Sequence, residues 1–424
     1  MQIQDELTSV DDALRAMITL VAAQCTNPAQ HTVPLLEGRG RVLAVPVHAS
    51  IDVPPFANSA VDGYALRSAD SGLSSLTVTG RIAAGDAAPA AALQAGEAMR
   101  LFTGAPLPPG ADCVAMQEDV DVEDAVLRLT RVNPASLRSG SNVRPRAQDI
   151  ASGDVVLDAG QLLQPRHLGL LASTGEHCVT VFERLNVGLL STGDELVEPG
   201  WPLQPGQIYN SNRYLLTSWL QSVGCNVIDY GIIADTPEAS INCLERASRE
   251  ADLVISTGGM SVGEEDHIKS AVEQIGELGF WKIRMKPGKP LALGALGKHR
   301  KIPFLGIPGN PGAAFVSSLV FARPLISWLQ GRGVNEASTE KRLQMLRPRP
   351  ERMPAGFARD KPSIRRDFLR ARIEDGRIVP FQNQSSGMLM SACWAEGLAV
   401  VPEHESISEG QLLDFYRLGS FDDS

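Results

Sequence analysis

The feature that most constrains this chain is an alternation of strand and helix signals between about residues 185 and 328. Short apolar stretches typical of buried strands are separated by segments in which apolar residues recur at helical spacing. This alternation predicts a mostly parallel sheet flanked by helices. The predicted strands are residues 186–190, 227–232, 252–256, 280–285 and 303–307.

The segments on either side of this domain have different patterns. One amphipathic helix is predicted to begin after Ser9 as its N-cap. From about residue 34 to 163, short apolar stretches separated by Gly, Pro, Asn and Asp predict mainly strands, and a Pro-rich stretch at 348–362 leads to a final β-rich segment. The chain has 424 residues, so at about 150 residues per domain it is long enough for roughly three globular units.

Charge and composition narrow the classes of function. The net charge of −10 repels polyanions, which argues against nucleic-acid binding and requires local compensation for any anionic ligand. No apolar run approaches the roughly 20 residues of a membrane-spanning helix, and the first residues are acidic, so we expect a cytoplasmic protein with no membrane association. The six cysteines are scattered, which fits reduced thiols better than disulfides or a zinc site.

Unusual loops follow several of the predicted strands. In an open α/β sheet, ligands bind beyond the carboxyl ends of the strands, so these loops are the candidates for a site. TGGMSVG, after the third strand, offers amides and hydroxyls that suit a phosphate or another oxyanion, although a plain tight turn has the same pattern. PGNP, after the fifth, is either an anion site or an ordinary helix start. The candidate anion-binding residues are Thr257, Gly258, Gly259, Ser261, Gly263, Pro308, Gly309, Asn310 and Pro311.

Charged residues cluster near the same predicted edge. Lys286 and Lys289 in KPGKP, with Lys282 four residues earlier, would supply positive charge, and a solvated basic turn is the alternative interpretation. Three acids beside a phosphate cradle indicate a Mg²⁺ site, because this ion takes a few carboxylates together with substrate phosphates. For any one acid, a simple helix N-terminal charge is the alternative. The three acids are Glu195, Asp235 and Asp266.

Further candidate residues lie outside the α/β pattern. Asp62 and Thr103 each precede a Gly in the first β-rich segment, where such pairs are also ordinary turn signals. Asp149 lies in a charged loop, for which a surface ion pair is the simpler interpretation. Residues 334–380 hold 12 Lys or Arg against 7 Asp or Glu, with Arg365 near the centre. A solvated strand face and an anion site explain this excess equally well.

Seven motifs occur together along the chain, namely NSAVDGYA, FTGAPLPPGAD, STGDEL, GQIYNSN, STGGMSVGEED, MKPGKP and GIPGNP. In this order and at these intervals the set resembles the MoeA/gephyrin E-domain family, the molybdopterin molybdenumtransferases of molybdenum cofactor biosynthesis. The resemblance implies a multidomain α/β plus β fold with a doubly wound, mostly parallel α/β domain. The implied domains are residues 1–51 with 142–182 (helical and β linker), 52–141 (small β domain), 183–332 (α/β, molybdopterin-binding) and 333–424 (C-terminal β-barrel).

The same resemblance implies a reaction and a set of functional residues. The expected reaction is a Mg²⁺-dependent insertion of molybdate into adenylylated molybdopterin, which releases AMP and molybdenum cofactor. The expected assembly is a homodimer with composite active sites, in contact with other proteins of molybdenum cofactor biosynthesis. By resemblance, the catalytic positions are Asp62, Thr103, Asp149, Glu195, Lys282 and Lys286. Anion binding extends to Lys289, Arg365 and Ser386, and the metal positions are Glu195, Asp235 and Asp266.

The sequence departs from the family pattern at a few of these positions. Ala147-Gln148 stands where the family usually has Gly-Glu before the acid equivalent to Asp149, and His267 replaces a frequent aromatic residue. Ser363-Ile364 lacks the usual Gly before Arg365, and Ala395-Glu396 replaces Ala-Asn.

Two other functions are compatible with parts of the pattern. A molybdopterin adenylyltransferase-like nucleotide enzyme, similar to the MogA/CinA relatives, would share only the α/β domain, and the full-length match argues against it. A gephyrin-like scaffold without catalysis would share the whole architecture. The complete set of carboxylates and lysines favours an enzyme over such a scaffold.

Overall fold

The computed structural model describes residues 7–24, 28–131, 133–259, 267–288, 290–297 and 301–423. The chain forms two compact units. The first unit consists of residues 1–45, 159–164 and 179–424, and the second of residues 46–158 and 165–178.

The first unit begins with an amphipathic helix, α1 (Val10–Gln24), followed by strand β1 (Gln30–Pro34). Ser9 caps α1 as predicted. Its hydroxyl accepts a hydrogen bond from the Asp12 amide at 3.1 Å and donates one to the Asp12 carboxylate at 2.6 Å. One face of α1 is buried in a hydrophobic core through Val10, Ala13, Leu14, Met17, Ile18 and Val21.

The second unit is mainly β-structure. Its strands are β2 (Val47–His48), β3 (Asn58–Ser59), β4 (Gly63–Leu66), β5 (Leu76–Ile82), β6 (Glu97–Leu101), β7 (Cys113–Met116), β8 (Val120–Glu123), β9 (Val126–Leu129), β10 (Val143–Arg144) and β11 (Val155–Leu157), followed by helix α2 (Pro165–Ser173). Six strands form a sheet in the order β7-β4-β6-β5-β9-β8. Within it β5 and β6 are parallel and the other neighbours are antiparallel. The predicted β-rich character of this segment is confirmed.

The chain then returns to the first unit, where β12 (Cys178–Phe182) pairs with β1. The elements that follow are β13 (Asn186–Thr192), β14 (Leu196–Val197), β15 (Ile208–Tyr209), α3 (Ser211–Ser222), β16 (Asn226–Ile233), α4 (Pro237–Glu250), β17 (Leu253–Thr257), α5 (His267–Ile275), β18 (Gly276–Lys282), β19 (Met285–Lys286), β20 (Pro290–Leu296), β21 (Ile302–Ile307), α6 (Pro311–Ser317) and α7 (Arg323–Leu329).

Six of these strands form one sheet in the order β16-β13-β17-β21-β20-β18, and the first four are parallel. Successive side chains of a strand point to opposite faces. Val187 and Leu189 of β13 share a core with α3 and α7, whereas Leu190 shares a second core with α4 and α5. Helices therefore cover both faces of the sheet, which confirms the doubly wound, mostly parallel fold class.

One predicted strand is placed differently. The sequence indicated a strand at residues 280–285, but β18 ends at Lys282, and β20, which sequence analysis missed, lies between β18 and β21. The link between β18 and β20, residues 283–289, is too short for a parallel crossover, so the two strands are antiparallel. Since β20 is also antiparallel to β21, β18 runs in the direction of β21. Its carboxyl end therefore still lies at the predicted edge.

The C-terminal part of the first unit is a small barrel. Helix α8 (Thr339–Leu346) precedes β22 (Glu351–Pro354), β23 (Arg366–Glu374), β24 (Arg377–Pro380), helix α9 (Met390–Trp394), β25 (Gly397–Val401), β26 (Leu412–Arg417) and helix α10 (Ser420–Asp423). Antiparallel pairs connect the strands in the order β24-β23-β25-β26-β22. A bridge between Ala355 and Ile378 joins the two ends of this series. This closure confirms the predicted C-terminal β-barrel.

Among the described residues, the helical stretch Pro311–Leu329 is long and apolar enough to cross a membrane by length and composition. Within the protein, 83% of this stretch is buried. Packing in the core of the first unit therefore accounts for its apolar composition.

Asp11 links α1 to the C-terminal part of the same unit. Its carboxylate accepts hydrogen bonds from Arg347 at 2.7 Å and from Arg366 at 2.9 Å, and Arg366 also donates to Glu403 at 3.1 Å. Burial raises the pKa of Asp11, but the hydrogen bonds and charges of the two arginines outweigh burial and hold the pKa below its ordinary value. The ionised carboxylate is therefore the form that the folded state stabilises.

We expect Asp11→Asn to lower the free energy of unfolding by about 1 to 2 kcal/mol at neutral pH, because two charge-assisted hydrogen bonds are weakened. Since the folded-state pKa of Asp11 is depressed, this contribution is complete above about pH 4 and is lost as the pH falls through the folded-state value. Urea unfolding at several pH values measures it. Glu340→Gln, which weakens an exposed ion pair with Arg15, is the control and should cost less than about 1 kcal/mol. A difference between wild type and Asp11→Asn that grows in acid would contradict this assignment.

Candidate functional site

A cavity of about 750 Å³, here called the edge cavity, opens at the carboxyl ends of the parallel strands. Loops after β13, β17 and β21, the start of α3, the basic loop that includes β19, and two segments of the barrel line it. All of them belong to the first unit. The predicted site residues that the edge cavity brings together are Glu195, Thr257, Gly258, Gly259, Lys286, Pro308, Gly309, Asn310, Pro311, Arg365 and Ser386.

The glycine-rich turn after β17 packs closely against the end of β13. Gly258 and Gly259 have φ values of +83° and +62°, in the left-handed region that glycine tolerates best. A Cβ on Gly258 would lie 2.6 Å from the Thr192 carbonyl oxygen, and one on Gly259 would lie 2.8 Å from the Thr192 hydroxyl. That hydroxyl is buried and has no hydrogen-bond partner among the described residues. It is a polar atom of the cavity wall that a ligand could engage.

The PGNP turn forms the neighbouring wall. Pro311 is the first residue of α6, as predicted, and Asn310 precedes it without a side-chain capping bond. In the first turn, the Ala313 amide donates to the Asn310 and Ser386 carbonyls, and the Ala314 amide donates to the Asn310 carbonyl. Pro311 has no N–H, so Gly312 has the remaining first-turn amide that an anion could contact. The Asn212 amide nitrogen donates to the Gly309 carbonyl at 2.7 Å and ties this turn to the start of α3. The Asn212 Oδ1 atom is buried and has no partner among the described residues.

Two cations reach the edge cavity through one short strand pairing. Strand β19 runs parallel to the start of β23, with Met285 opposite Arg366 and Lys286 opposite Asp367. Lys286 and Arg365 both line the cavity, and no ion-pair partner is found for either within the described ranges. The only other charged residue among the described lining is Glu195. The cavity is therefore locally cationic in an acidic protein.

The barrel contributes a loop, here called the 384–386 loop, to the lining of the edge cavity. Gln384, Ser385 and Ser386 all line the edge cavity. The Ser386 carbonyl accepts a hydrogen bond from the Ala313 amide of α6 at 3.1 Å. A Cβ on Gly312 would lie 2.8 Å from the same carbonyl oxygen, so the loop and the helix are in close contact.

The predicted metal acids are only partly brought together. Glu195 is exposed at the cavity, where its carboxylate folds over Gly193 so closely that a Cβ there would overlap it. Asp235 follows β16, just before the cap of α4, and does not line the cavity. Within the described ranges, no group of three or more His, Cys, Asp or Glu side chains could hold a metal ion.

Several predicted residues lie elsewhere in the first unit or outside the described ranges. Lys282 ends β18 and does not line the edge cavity, and its carbonyl accepts the Thr8 amide at 3.1 Å. The predicted residues that fall outside the described ranges are Ser261, Gly263, Asp266 and Lys289.

Asp62 and Thr103 belong to the second unit and lie together there. The Asp62 carboxylate accepts hydrogen bonds from the Thr103 amide at 2.7 Å and from the Thr103 hydroxyl at 2.8 Å. These two bonds, the amide bond first, lower the pKa of Asp62. The pair is therefore a fixed, ionised carboxylate with an oriented hydroxyl, which is more than a simple turn requires.

Asp149 is exposed in the second unit and follows a tight turn. Ala147 in that turn has φ +57°, a conformation that costs a residue with a Cβ about 1 to 2 kcal/mol. The family pattern has Gly at this position, and the backbone geometry explains that preference. The departure at Ala147 is therefore tolerated at some cost in stability and leaves the turn in place.

Sequence reasoning assigned no role to several residues that line the edge cavity. Asn210 caps α3, where its side chain accepts from the Arg213 amide at 3.3 Å, and Asn212 holds the PGNP turn. Both belong to the GQIYNSN motif, so the signal was present but was used only for the resemblance. Gln384 and Ser385 have no comparable local signal.

The fold defines a multidomain α/β and β-barrel protein whose edge cavity, lined by Lys286 and Arg365, lies at the carboxyl edge of its sheet. Comparison with known families gives the same result. Residues 8–175 match "MoeA N-terminal region (domain I and II)", residues 188–328 match "Probable molybdopterin binding domain", and residues 352–418 match "MoeA C-terminal region (domain IV)".

Individual relatives extend the match over most of the chain. A molybdopterin molybdenumtransferase of Haemophilus influenzae is 42% identical over 300 residues, which cover 70% of this chain and 72% of the relative. One of Synechococcus elongatus is 34% identical over 380 residues, or 87% and 90% of the two chains. The crystal structure of a molybdopterin biosynthesis MoeA protein of Pyrococcus horikosii is 30% identical with a TM-score of 0.76, covering 97% of this chain and 99% of that one. The chain belongs to the MoeA family of molybdopterin molybdenumtransferases, which are transferase enzymes, and the resemblance inferred from its motifs is confirmed.

The close contact at Gly258 gives a test of the cavity geometry. We expect Gly258→Ala to lower the free energy of unfolding by about 2 to 4 kcal/mol, because it combines an unfavourable φ with a clash against the Thr192 carbonyl. Gly231→Ala is the matched control, since Gly231 has φ +73° but open space around its Cβ position, and it should cost about 1 kcal/mol. Urea unfolding of both variants measures the difference. Equal losses would mean that the turn can move away from β13.

Proposed function

We propose that this chain is a molybdopterin molybdenumtransferase that inserts molybdate into adenylylated molybdopterin and releases AMP and molybdenum cofactor. The observation that carries the proposal is the edge cavity, in which a glycine-rich turn, a helix start and two cations converge. Neither cation has an ion-pair partner among the residues that the structure describes. An acidic protein that binds a phosphorylated substrate and an oxyanion needs such local compensation. The 34 to 42% identity to named molybdopterin molybdenumtransferases supports the same conclusion.

The phosphate groups of the substrate would lie against the Gly258–Gly259 turn and the start of α6. Backbone amides at a helix start bind phosphate oxygens without any side-chain charge. The unpartnered Thr192 hydroxyl could donate to the same group. Release of AMP breaks the phosphoanhydride bond and leaves negative charge on the phosphate oxygens. Lys286 would stabilise that charge in a cavity that is already formed before the substrate binds.

Molybdate, as the second substrate, would bind on the barrel side of the cavity. Arg365 and Ser386 line that side and offer a guanidinium and a hydroxyl, which are suitable donors for a tetrahedral oxyanion. Lys286 lines the same cavity and would be a donor for either substrate. This division places the two anions next to each other while separate groups bind each of them.

Magnesium is implied by the family, and Glu195 is the one acid among the described residues that line the cavity. Mg²⁺ is commonly held by one or two carboxylates, with substrate phosphates and water as its other ligands. Glu195 would hold the ion, whereas Asp235 does not line the cavity and Asp266 lies outside the described residues, so these two acids remain ligands that the resemblance alone implies. When bound, the ion would neutralise part of the phosphate charge.

We further propose a homodimer in which the second unit of one chain completes the site of its partner. The ionised Asp62 and the oriented Thr103 hydroxyl form a prepared polar pair, with Asp149 as a third polar group of that unit. In an isologous dimer, such a contribution would occur twice and give two identical composite sites.

The free thiols of the described cysteines fit a cytoplasmic enzyme. We expect this enzyme to contact other proteins of molybdenum cofactor biosynthesis.

The proposal is tested by incubating the full chain with adenylylated molybdopterin, Mg²⁺ and molybdate, while AMP release and cofactor formation are measured. We expect AMP and cofactor to form in equal amounts and to require all three additions. AMP release without cofactor formation would indicate a nucleotide hydrolase, and no reaction with intact substrate binding would indicate a scaffold.

Variants of Lys286 and Arg365 should affect the binding of the two substrates differently. Lys286→Met should weaken binding of adenylylated molybdopterin about tenfold, because one ammonium group is lost from the phosphate side. Arg365→Ala should raise the KM for molybdate more than the KM for the pterin substrate. Lys341→Met, a change at an exposed position of α8, is the control for loss of charge alone. The reverse pattern of KM changes would exclude the barrel as the molybdate side.

Composite sites predict complementation between two inactive variants. Asp62→Ala and Asp266→Ala chains should each be inactive as homodimers. After co-refolding, random pairing makes half of the dimers heterodimers, each with one intact site, so about a quarter of wild-type activity should return. Size-exclusion chromatography and mass spectrometry verify the heterodimers. Verified heterodimers with no activity would show that both residues act within one chain.

A further inference from the structure

Arg370 of β23 is a buried cation that contacts the 384–386 loop. Its side chain is fully buried, with 0% exposure, and desolvation lowers the pKa of its guanidinium to about 10. Its donors meet neutral oxygens, namely the Ser391 hydroxyl at 3.1 Å, the Ser385 carbonyl at 3.1 Å and the Phe368 carbonyl at 3.5 Å. No carboxylate forms an ion pair with it within the described part of the chain. A buried charge without a counter-ion is costly, so a purely packing role would favour an apolar residue.

The residues that Arg370 holds line the edge cavity. Its guanidinium binds the Ser385 carbonyl, and its backbone amide donates to Gln384 Oε1 at 3.0 Å. The Gln384 amide nitrogen returns a hydrogen bond to the Arg370 carbonyl at 2.9 Å. Three hydrogen bonds therefore fix the 384–386 loop to Arg370, one through its guanidinium and two through its backbone. On its other side, the loop is held by the Ala313 amide.

This arrangement suits an anion in two ways. The Ser385 carbonyl oxygen accepts from both Arg370 and the Met388 amide, so it is already occupied by donors. An uncompensated positive charge behind the loop also adds to the potential of Arg365, and burial reduces the screening of that charge by salt. A neutral residue at position 370 would leave both the loop and the potential weaker.

We propose that Arg370 is a positioning residue for molybdate, which holds the 384–386 loop in the shape that binds a small oxyanion beside Arg365. The inference rests on the proposed function, since it assumes that the barrel side of the edge cavity takes molybdate. Arg370 would not touch the anion, because its side chain is fully buried.

The test uses the full chain and sodium molybdate alone, with binding measured by isothermal titration calorimetry. Arg370→Met should weaken molybdate binding by about tenfold or more. Arg370→Lys keeps the positive charge but lacks the planar guanidinium with its several donors. It should therefore recover part of the lost affinity for molybdate. Arg372→Met is the matched control on the same strand, because Arg372 pairs with Glu374 and stacks on Trp394 away from the cavity. It should change the affinity less than twofold.

The KM values for the two substrates distinguish a positioning role of Arg370 from a general structural role. In Arg370→Met we expect the KM for molybdate to rise about tenfold while the KM for adenylylated molybdopterin changes less than twofold. A folded Arg370→Met chain with wild-type affinity for molybdate would overturn the inference. An equal loss of affinity for both substrates would also overturn it, because it would indicate a general collapse of the cavity.

Two further measurements keep the outcome clear. If Arg370→Met does not fold, Gln384→Ala removes two of the three hydrogen bonds between the loop and residue 370 while retaining the guanidinium, and it should weaken molybdate binding several-fold. Unchanged binding in that variant would count against the inference. If the wild-type chain itself does not bind molybdate, the proposed function fails, and the role of Arg370 fails with it. Binding by the wild type together with unchanged binding by the variants rejects the role of Arg370 alone.

Discussion

The shape of the edge cavity depends on one short strand pairing. Two residues of β19 pair with the start of β23, and this contact brings the basic loop of the α/β part against the barrel. Lys286 and Arg365 line one cavity because of it. Arg365 directly precedes β23, so a shift of this register by one residue would change the side to which the Arg365 side chain points. The neighbouring residues resist such a shift, since Arg366 is paired with Asp11 and Glu403, and Asp367 is paired with Arg359.

Electrostatics in this protein are organised locally. The chain carries a net charge of −10, yet the charged residues of the described cavity lining are Lys286, Arg365 and a single acid, Glu195. Many arginines near the surface are neutralised by carboxylates, as in the pair of Arg417 with Glu351. In the edge cavity, by contrast, Lys286 and Arg365 have no carboxylate partner within the described ranges, which favours an anionic ligand. An anion in this cavity would be attracted at short range, after the general repulsion of the protein has been overcome.

The parts of the structure that could be predicted from sequence are those with a local chemical signal. The TGG and PGNP turns, the Ser9 cap and the alternation of the α/β part each depend on a few neighbouring residues, and the structure contains them. Sequence analysis missed β20 because its place between β18 and β21 depends on strand pairing. Its antiparallel direction depends on the short connection to β18. Gln384 and Arg370 were missed because their roles arise from pairing between distant segments. In RDFLRAR, local pattern gives no reason to expect that Arg370 is buried while Arg372 is partly exposed.

The segments that line the edge cavity lie far apart in the chain, from Thr192 near the first parallel strand to Ser386 in the barrel. During synthesis the N-terminal segments emerge first and fold first. An unfinished chain that has completed β21 already has the glycine-rich turn, but it still lacks Arg365 and the 384–386 loop. The lining of the edge cavity is therefore completed only after residues 384–386 have been made. The core beneath the sheet also includes Phe368, Leu398 and Phe421, so the same late segments complete both the cavity and the packing of the sheet.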